Sequence, residues 1–130
     1  QIREFAGTCV STFEIATPSL EHPVQFLSGG NLQKVILARE LQQCPQVLLA
    51  NQPTRGLDVG VTEYVHKRLL EKRAEGVGIL LSSEDLDDIF NLSDRVAVIF
   101  GGQIMGIFNT READLATIGL MMAGVREAAS

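Results

Sequence analysis

Leu27-Ser28-Gly29-Gly30-Asn31-Leu32-Gln33-Lys34 sets a hydroxyl and two glycines at the mouth of a helix. Leu32, Val35, Ile36, Ala38 and Leu41 recur at helical spacing after the glycines, which predicts roughly three turns of helix. Glycines let backbone approach a ligand closely, and the free N–H groups of a first helical turn, backed by the helix dipole, suit an anion such as phosphate. Ser28 adds a hydroxyl donor to the same place. A second polar stretch, Asn51-Gln52-Pro53-Thr54-Arg55-Gly56-Leu57-Asp58, follows an apolar run and is rich in turn formers. It reads as the loop at the C-terminal end of a strand, where open α/β sheets bind ligands.

The elements that must position these stretches follow from hydrophobic pattern. Residues 1–26 read as a helix end around Gln1 to Phe5 and then a loop-rich stretch with Pro18 and Pro23; alternation at Phe13 and Ile15 allows a short extended segment. The helix entered at Gly30 ends near Gln43, ahead of Pro45, because a residue before proline is pushed out of the helical region. Gln46 to Ala50 is an unbroken apolar run, as expected of a strand buried on both faces in a parallel sheet. Val61, Tyr64, Val65 and Leu69 mark one face of a helix running to about Arg73, with Glu63, Lys67 and Lys72 toward water and Gly76 as its stop. Val77 to Leu81 is a second buried strand. Ser82-Ser83 can cap a short helix containing Leu86, Ile89 and Phe90, with Asp85, Asp87 and Asp88 in its first turns. A third strand spans Val96 to Phe100, and Gly101-Gly102 turns it back as Gln103 to Phe108 in a hairpin. Thr110 can cap a last helix with Leu115, Ile118 and Met122 inward, and the tail past Gly124 is expected to fray.

Strand, helix, strand, helix, strand argues for an α/β fold: a mostly parallel sheet with right-handed crossovers and an antiparallel hairpin edge. The chain has 130 residues, 45% hydrophobic and 21% charged, about one domain of ordinary globular composition. Its net charge of −5 argues against a nucleic-acid surface or a polybasic membrane contact. No apolar run reaches the roughly 18 residues of a bilayer span, so a membrane link is expected through a partner. Cys9 and Cys44 form neither a metal-ligand spacing nor a disulfide framework; both are expected to be packing residues in a reducing compartment. His22 and His66 read as surface histidines, and Met105, Met121 and Met122 as core or interface filler. The chain starts at Gln1 rather than methionine, which points to a piece of a longer polypeptide, and it contains no GxxxxGK[ST] phosphate loop.

Taken together, Leu27-Ser28-Gly29-Gly30-Asn31, an apolar strand about twenty residues later, Pro53-Thr54 and Gly56-Leu57-Asp58 resemble the ATP-binding-cassette (ABC) ATPases. The first block resembles the family signature, the strand Walker B, and Gly56-Leu57-Asp58 the D-loop. More narrowly, Asn31-Leu32-Gln33-Lys34, the run Pro53 to Gly60 and Ser82-Ser83-Glu84-Asp85-Leu86 are similar to the second cassette of tandem ATPase subunits serving importers of simple sugars and nucleosides. The resemblance covers nearly the whole chain. It implies the C-terminal half of a partial P-loop cassette: residues 1–43 as part of the helical subdomain, and 44–130 as the C-terminal part of the RecA-like core, with the Walker A half upstream.

Three positions depart from the working pattern that the resemblance implies. Where Walker B ends in Asp-Glu, the first at the Mg²⁺ shell and the second polarising water, this chain has Asn51 and Gln52. Amides keep the shape and lose the charge, and general-base help is typically worth ~10²–10⁴ in rate. Glu84 takes the switch-histidine position, where a carboxylate repels a γ-phosphate; glutamate there is common in the subfamily.

Plainer readings stand beside these. Ser28-Gly29-Gly30 can be an ordinary glycine turn, Asn51 and Gln52 strand-end polarity, Asp58 a turn former, and Glu84 an N-terminal helix acid.

The resemblance further implies ATP and Mg²⁺ as ligands of a full cassette pair, a partner cassette, membrane permease subunits, and a place at the cytoplasmic face of the membrane. No nucleic acid is expected. Ser28, Gly29, Gly30 and Asn31 are expected to contact ATP held by the partner, no metal is expected to bind this piece directly, and the piece alone is expected to lack ATPase activity. Two alternatives remain: a catalytically inert, nucleotide-responsive dimerisation module, or a soluble ABC ATPase that works without permeases.

Overall fold

A computed structural model describes residues 1–126, in two compact units, Gln1–Glu84 and a second from Asp85 onward. In the first unit the order is α1 (Ile2–Thr12), α2 (Gly29–Leu41), β1 (Val47–Asn51), α3 (Val59–Ala74) and β2 (Gly78–Ser82). β1 and β2 run parallel, in register from Val47 beside Gly78 to Asn51 beside Ser82. Helix α2 packs on α1 and α3, and α3 on β2. Cys9, Phe13, Ile15, Leu37, Ala38, Leu41, Val65 and Leu69 are buried.

Three expectations about this unit change. Helix α1 runs to Thr12 rather than stopping near Phe5, and Phe13 and Ile15 are buried in the turn that follows it rather than in an extended segment. The strands are not enclosed on both faces. Side chains alternate across a strand, and Val47, Leu49 and Leu80, which share one face, are 66%, 73% and 68% exposed. A run apolar at every position fits a doubly covered strand, but Gln1–Glu84 supplies cover for only one face. Cys44 is exposed at a left-handed turn with φ 49°, so of the two cysteines only Cys9 is a packing residue. Burial pushes the Cys9 thiol up from its ordinary pKa.

The second unit orders α4 (Leu86–Leu92), β3 (Arg95–Phe100), β4 (Gln103–Asn109) and α5 (Leu115–Met122). β3 and β4 are antiparallel, with an irregularity between Val98 and Ile99. Gly101 and Gly102 both have positive φ, 56° and 77°, which the tight two-residue turn requires. β3 pairs with β4, and β1 with β2, as two separate ladders. Val96, Val98, Ile118 and Met121 form the core, with Leu86, Ile89, Phe90, Met105 and Phe108 against it.

The caps differ from expectation. Asp85, not Ser82-Ser83, caps α4 by accepting from the Asp87 amide, since Ser82 is still in β2. Thr110 opens a single 3₁₀ turn, and Asp114 caps α5 through the Thr117 amide at 2.9 Å. Ile118 and Met121 are buried, whereas Leu115 and Met122, expected to face inward, are exposed. Past Gly124 the Val125 amide still donates to Leu120 O, and the rest of the tail, 127–130, lies outside the described residues. Among the described residues no helix is long and apolar enough to cross a membrane.

Candidate functional site

The Ser28 turn is built as an N-cap. Its backbone is extended (φ −60°, ψ 155°), and its Oγ accepts from the Asn31 amide at 3.3 Å and from Asn31 Nδ2 at 2.9 Å. A hydroxyl that accepts twice still has its own proton to donate. The amides of Gly29 and Gly30 precede the first i→i−4 bond, which Leu32 N makes to Ser28 O at 2.8 Å. A Cβ on Gly29 would meet nothing within 4 Å, so this side of the turn is open. Asn31 faces the other way: its Oδ1 accepts from Ala16 N at 2.8 Å, tying the cap to the chain after α1.

Asn51 ends β1 and is exposed. Gln52 then takes φ 48°, a left-handed conformation rare outside glycine and costing of order 1–3 kcal/mol. It is held there by its amide, which donates to Ser82 O at 2.7 Å, and by its carbonyl, which accepts from Arg55 N at 3.2 Å. Gln52 Oε1 accepts from the Glu84 amide at 3.4 Å. The structure thus brings Gln52 and Glu84 together at the ends of two adjacent parallel strands, with the Glu84 side chain exposed. Asp58 caps α3, its Oδ1 accepting from Val61 N at 2.9 Å, so its local job is that of an N-cap rather than a turn former.

The contacts that join these pieces are not visible in the sequence. Gln33 Nε2 donates to Pro53 O at 2.8 Å, and Gly30 lies so close to α3 that a Cβ there would come within 2.8 Å of Val61 Cγ2. The glycine was a visible signal; its Val61 neighbour, thirty-one residues on, was not. Tyr64 OH donates to Phe13 O at 2.9 Å and accepts from Arg68 Nε at 3.1 Å. The Arg68 guanidinium stacks over the Phe13 ring at 5.1 Å, and Lys34 Nζ sits 4.6 Å over Tyr64. Burial pulls the Arg68 pKa down, but Tyr64 and Glu71 outweigh it and hold the guanidinium above its usual value.

The donor set does not fit a divalent cation. Asn51 and Gln52 offer neutral amide oxygens where hard cations take carboxylates, and no group of three His, Cys, Asp or Glu side chains suited to a metal exists among the described residues.

The chain is 47% identical over 119 residues to the guanosine import ATP-binding protein NupO of Bacillus subtilis, covering 92% of this chain and 23% of that protein. It is 52% identical over 98 residues to the nucleoside import ATP-binding protein NupA of Lactococcus lactis (75% and 19%), and 40% identical over 124 residues to a ribose import ATP-binding protein of Rubrobacter xylanophilus (95% and 24%). The chain thus spans about a fifth to a quarter of the length of these curated relatives. No protein-family profile matches it. Among solved structures it superposes on a dimeric ATP-binding cassette in a post-hydrolysis state bound to ADP and phosphate, with TM-score 0.72 at 25% identity over 85% of this chain and 47% of that one. A nucleotide-free cassette from an ABC transporter gives TM-score 0.70 at 26% identity over 82% and 42%. The strand-loop-helix order, the capped glycine turn and these likenesses agree: the chain belongs to the ATP-binding-cassette family and is the C-terminal part of such a cassette.

Proposed function

We propose that this chain is part of the ATP-binding subunit of an importer for a simple sugar or nucleoside, and that its two halves of machinery serve different sites. The signature turn, Ser28-Gly29-Gly30 with Asn31 bracing it, closes on ATP held by a partner cassette. There the turn supplies a hydroxyl proton, two amides and a helix N-terminus to the γ-phosphate. The chain's own strand-end loop, Asn51-Gln52 with Glu84 across from it and Asp58 as the D-loop acid, belongs to a second site that binds nucleotide and turns it over slowly. The relatives' printed roles in guanosine, nucleoside and ribose import support the transport reading. On this reading residues 1–43 belong to the helical subdomain and 44–130 to the nucleotide-binding core, and the subunit sits at the cytoplasmic membrane face through its permeases.

The observation that carries the asymmetry is a contrast in chemistry. The Ser28 turn keeps an intact cap and an open glycine face, whereas the strand end presents two neutral amides, one of them already bonded to Glu84. An amide cannot take a proton from water, so the loop lacks a general base. Closure of the cassette pair around ATP and its opening after hydrolysis then shift the permeases between states.

The test uses the full-length subunit with its permease in vesicles. Ser28→Arg fills the open side of the turn and is expected to abolish transport and most ATPase activity, while Gln52→Ala lowers ATPase activity by less than about threefold, the base already being absent. Equal losses from the two substitutions would refute the asymmetric reading and favour an inert dimerisation module or a symmetric soluble ATPase.

A further inference from the structure

Two contacts on one face of α2 reach both ends of the loop that leaves Gln52. Gln33 bonds Pro53 O, and Gly30, one turn earlier on the same face, is seated against Val61. Between those points lie Gly56, Leu57 and Asp58, so the helix that carries the signature turn straddles the D-loop segment. The loop is itself stiff: Pro53 and Thr54 are buried, Arg55 N bonds Gln52 O at 3.2 Å, and Leu57 N bonds Thr54 O at 3.1 Å. Lys34 over Tyr64 adds a second point between α2 and α3.

We propose that Gln33 is the positioning residue that registers the Ser28-Gly29-Gly30 turn against the chain's own strand-end loop, so that the loop's position sets the turn offered to a partner's nucleotide. This rests on the signature acting in trans. Pro53 O accepts from Gln33 across a part-buried seam, and Gly30 leaves no slack toward Val61, so a shift of the 53–61 loop carries the turn with it. Gln33 touches no reacting atom in this scheme. It acts through where it holds Ser28, and a misplacement of about 1 Å can cost up to ~10²-fold in rate.

In the full-length subunit with its permease, Gln33→Met keeps side-chain length and removes the donor. It is expected to lower kcat for ATP about tenfold while KM changes less than about twofold, because the residues that hold nucleotide before closure do not move. Gln33→Lys restores a donor within reach of Pro53 O and recovers most of the loss. Val61→Ala, which removes the wall behind Gly30, shows the same split between kcat and KM and stands in if Gln33→Met does not fold. An unchanged kcat in Gln33→Met, a loss that Gln33→Lys fails to recover, or a loss that only tracks the melting temperature overturns the proposal. Ser28→Arg separates the two layers. If it retains activity, the trans reading fails and the proposal with it; if it is inactive while Gln33→Met has wild-type kcat, only the registering role fails.

Discussion

The Gln52 side-chain oxygen and the Glu84 backbone amide meet at 3.4 Å, so the two strand ends are bridged by a neutral amide rather than a carboxylate. Gln52 is held for this in a left-handed backbone conformation, pinned by Ser82 O. Strain of that kind persists where surrounding contacts over-determine it, and here the adjacent parallel strand supplies the contact. On the proposed reading, the site therefore keeps its shape and lacks only its charge.

That geometry makes the charge restorable. In a Gln52→Glu variant, the Glu84 amide already stands where a carboxylate oxygen would be, and a hydrogen bond to a charged acceptor is stronger than one to a neutral amide. With Asn51→Asp added, single-turnover hydrolysis at this site is expected to rise by ~10²-fold or more, the scale of general-base assistance. The measurement is made in a Ser28→Arg background, which on the proposed trans reading silences the other composite site. An unchanged rate would mean that something other than the missing carboxylates limits this site.

Gly30→Ala tests the seat of the signature helix. The added methyl would stand 2.8 Å from Val61 Cγ2, and Val61 is β-branched in the first turn of α3, so it has little room to yield. Overpacking of this kind costs about 1–3 kcal/mol. Chemical denaturation should show that loss, and adding Val61→Ala should recover most of it, because the double variant removes the clash. Gly29→Ala, whose methyl meets nothing within 4 Å, should change stability far less.

Much of this was legible in the sequence because it is local. The glycine pair before a helical period, the apolar run before Asn51, the Gly76 stop and the Gly101-Gly102 hairpin each follow from a few neighbouring residues, and each stands where expected. What was not legible depends on distant partners. Gln33 and Pro53 are twenty residues apart, and Tyr64 and Phe13 fifty-one, and neither pair has a spacing that announces it. The caps were misassigned for a different reason. Ser82 and Thr110 are good cap residues by type, but β2 extends through Ser82 and a 3₁₀ turn follows Asn109, so Asp85 and Asp114 take those roles instead. The open face at Val47, Leu49 and Leu80 is the apolar face that a parallel sheet without its first half is expected to leave, because apolarity records what a strand is built to meet, not what these residues provide.

Tyr64→Phe probes the junction between α1 and α3. Its hydroxyl is spent in both directions, donating to Phe13 O and accepting from Arg68 Nε, so removal leaves a part-buried carbonyl and guanidinium N–H short of partners. The expected loss is about 1–3 kcal/mol in urea unfolding, with the aromatic contact to Lys34 retained. A loss below about 0.5 kcal/mol would mean that water replaces the hydroxyl at this seam.

Asp114 provides a pH signature in the second unit. The Thr117 amide and hydroxyl both donate to its carboxylate, at 2.9 and 3.0 Å, and hold its pKa below the ordinary aspartate value. A carboxyl depressed in the folded state binds its proton more weakly folded than unfolded, so it stabilises the fold above the unfolded pKa of about 3.9. That contribution is lost as pH falls from there through the folded value. Between pH 7 and 5 the difference in melting temperature between the native chain and Asp114→Asn should be constant. Below about pH 4 it should shrink as the native cap is protonated. A difference that holds steady down to pH 2 would show that the carboxylate charge contributes nothing and that the α5 cap depends on shape alone.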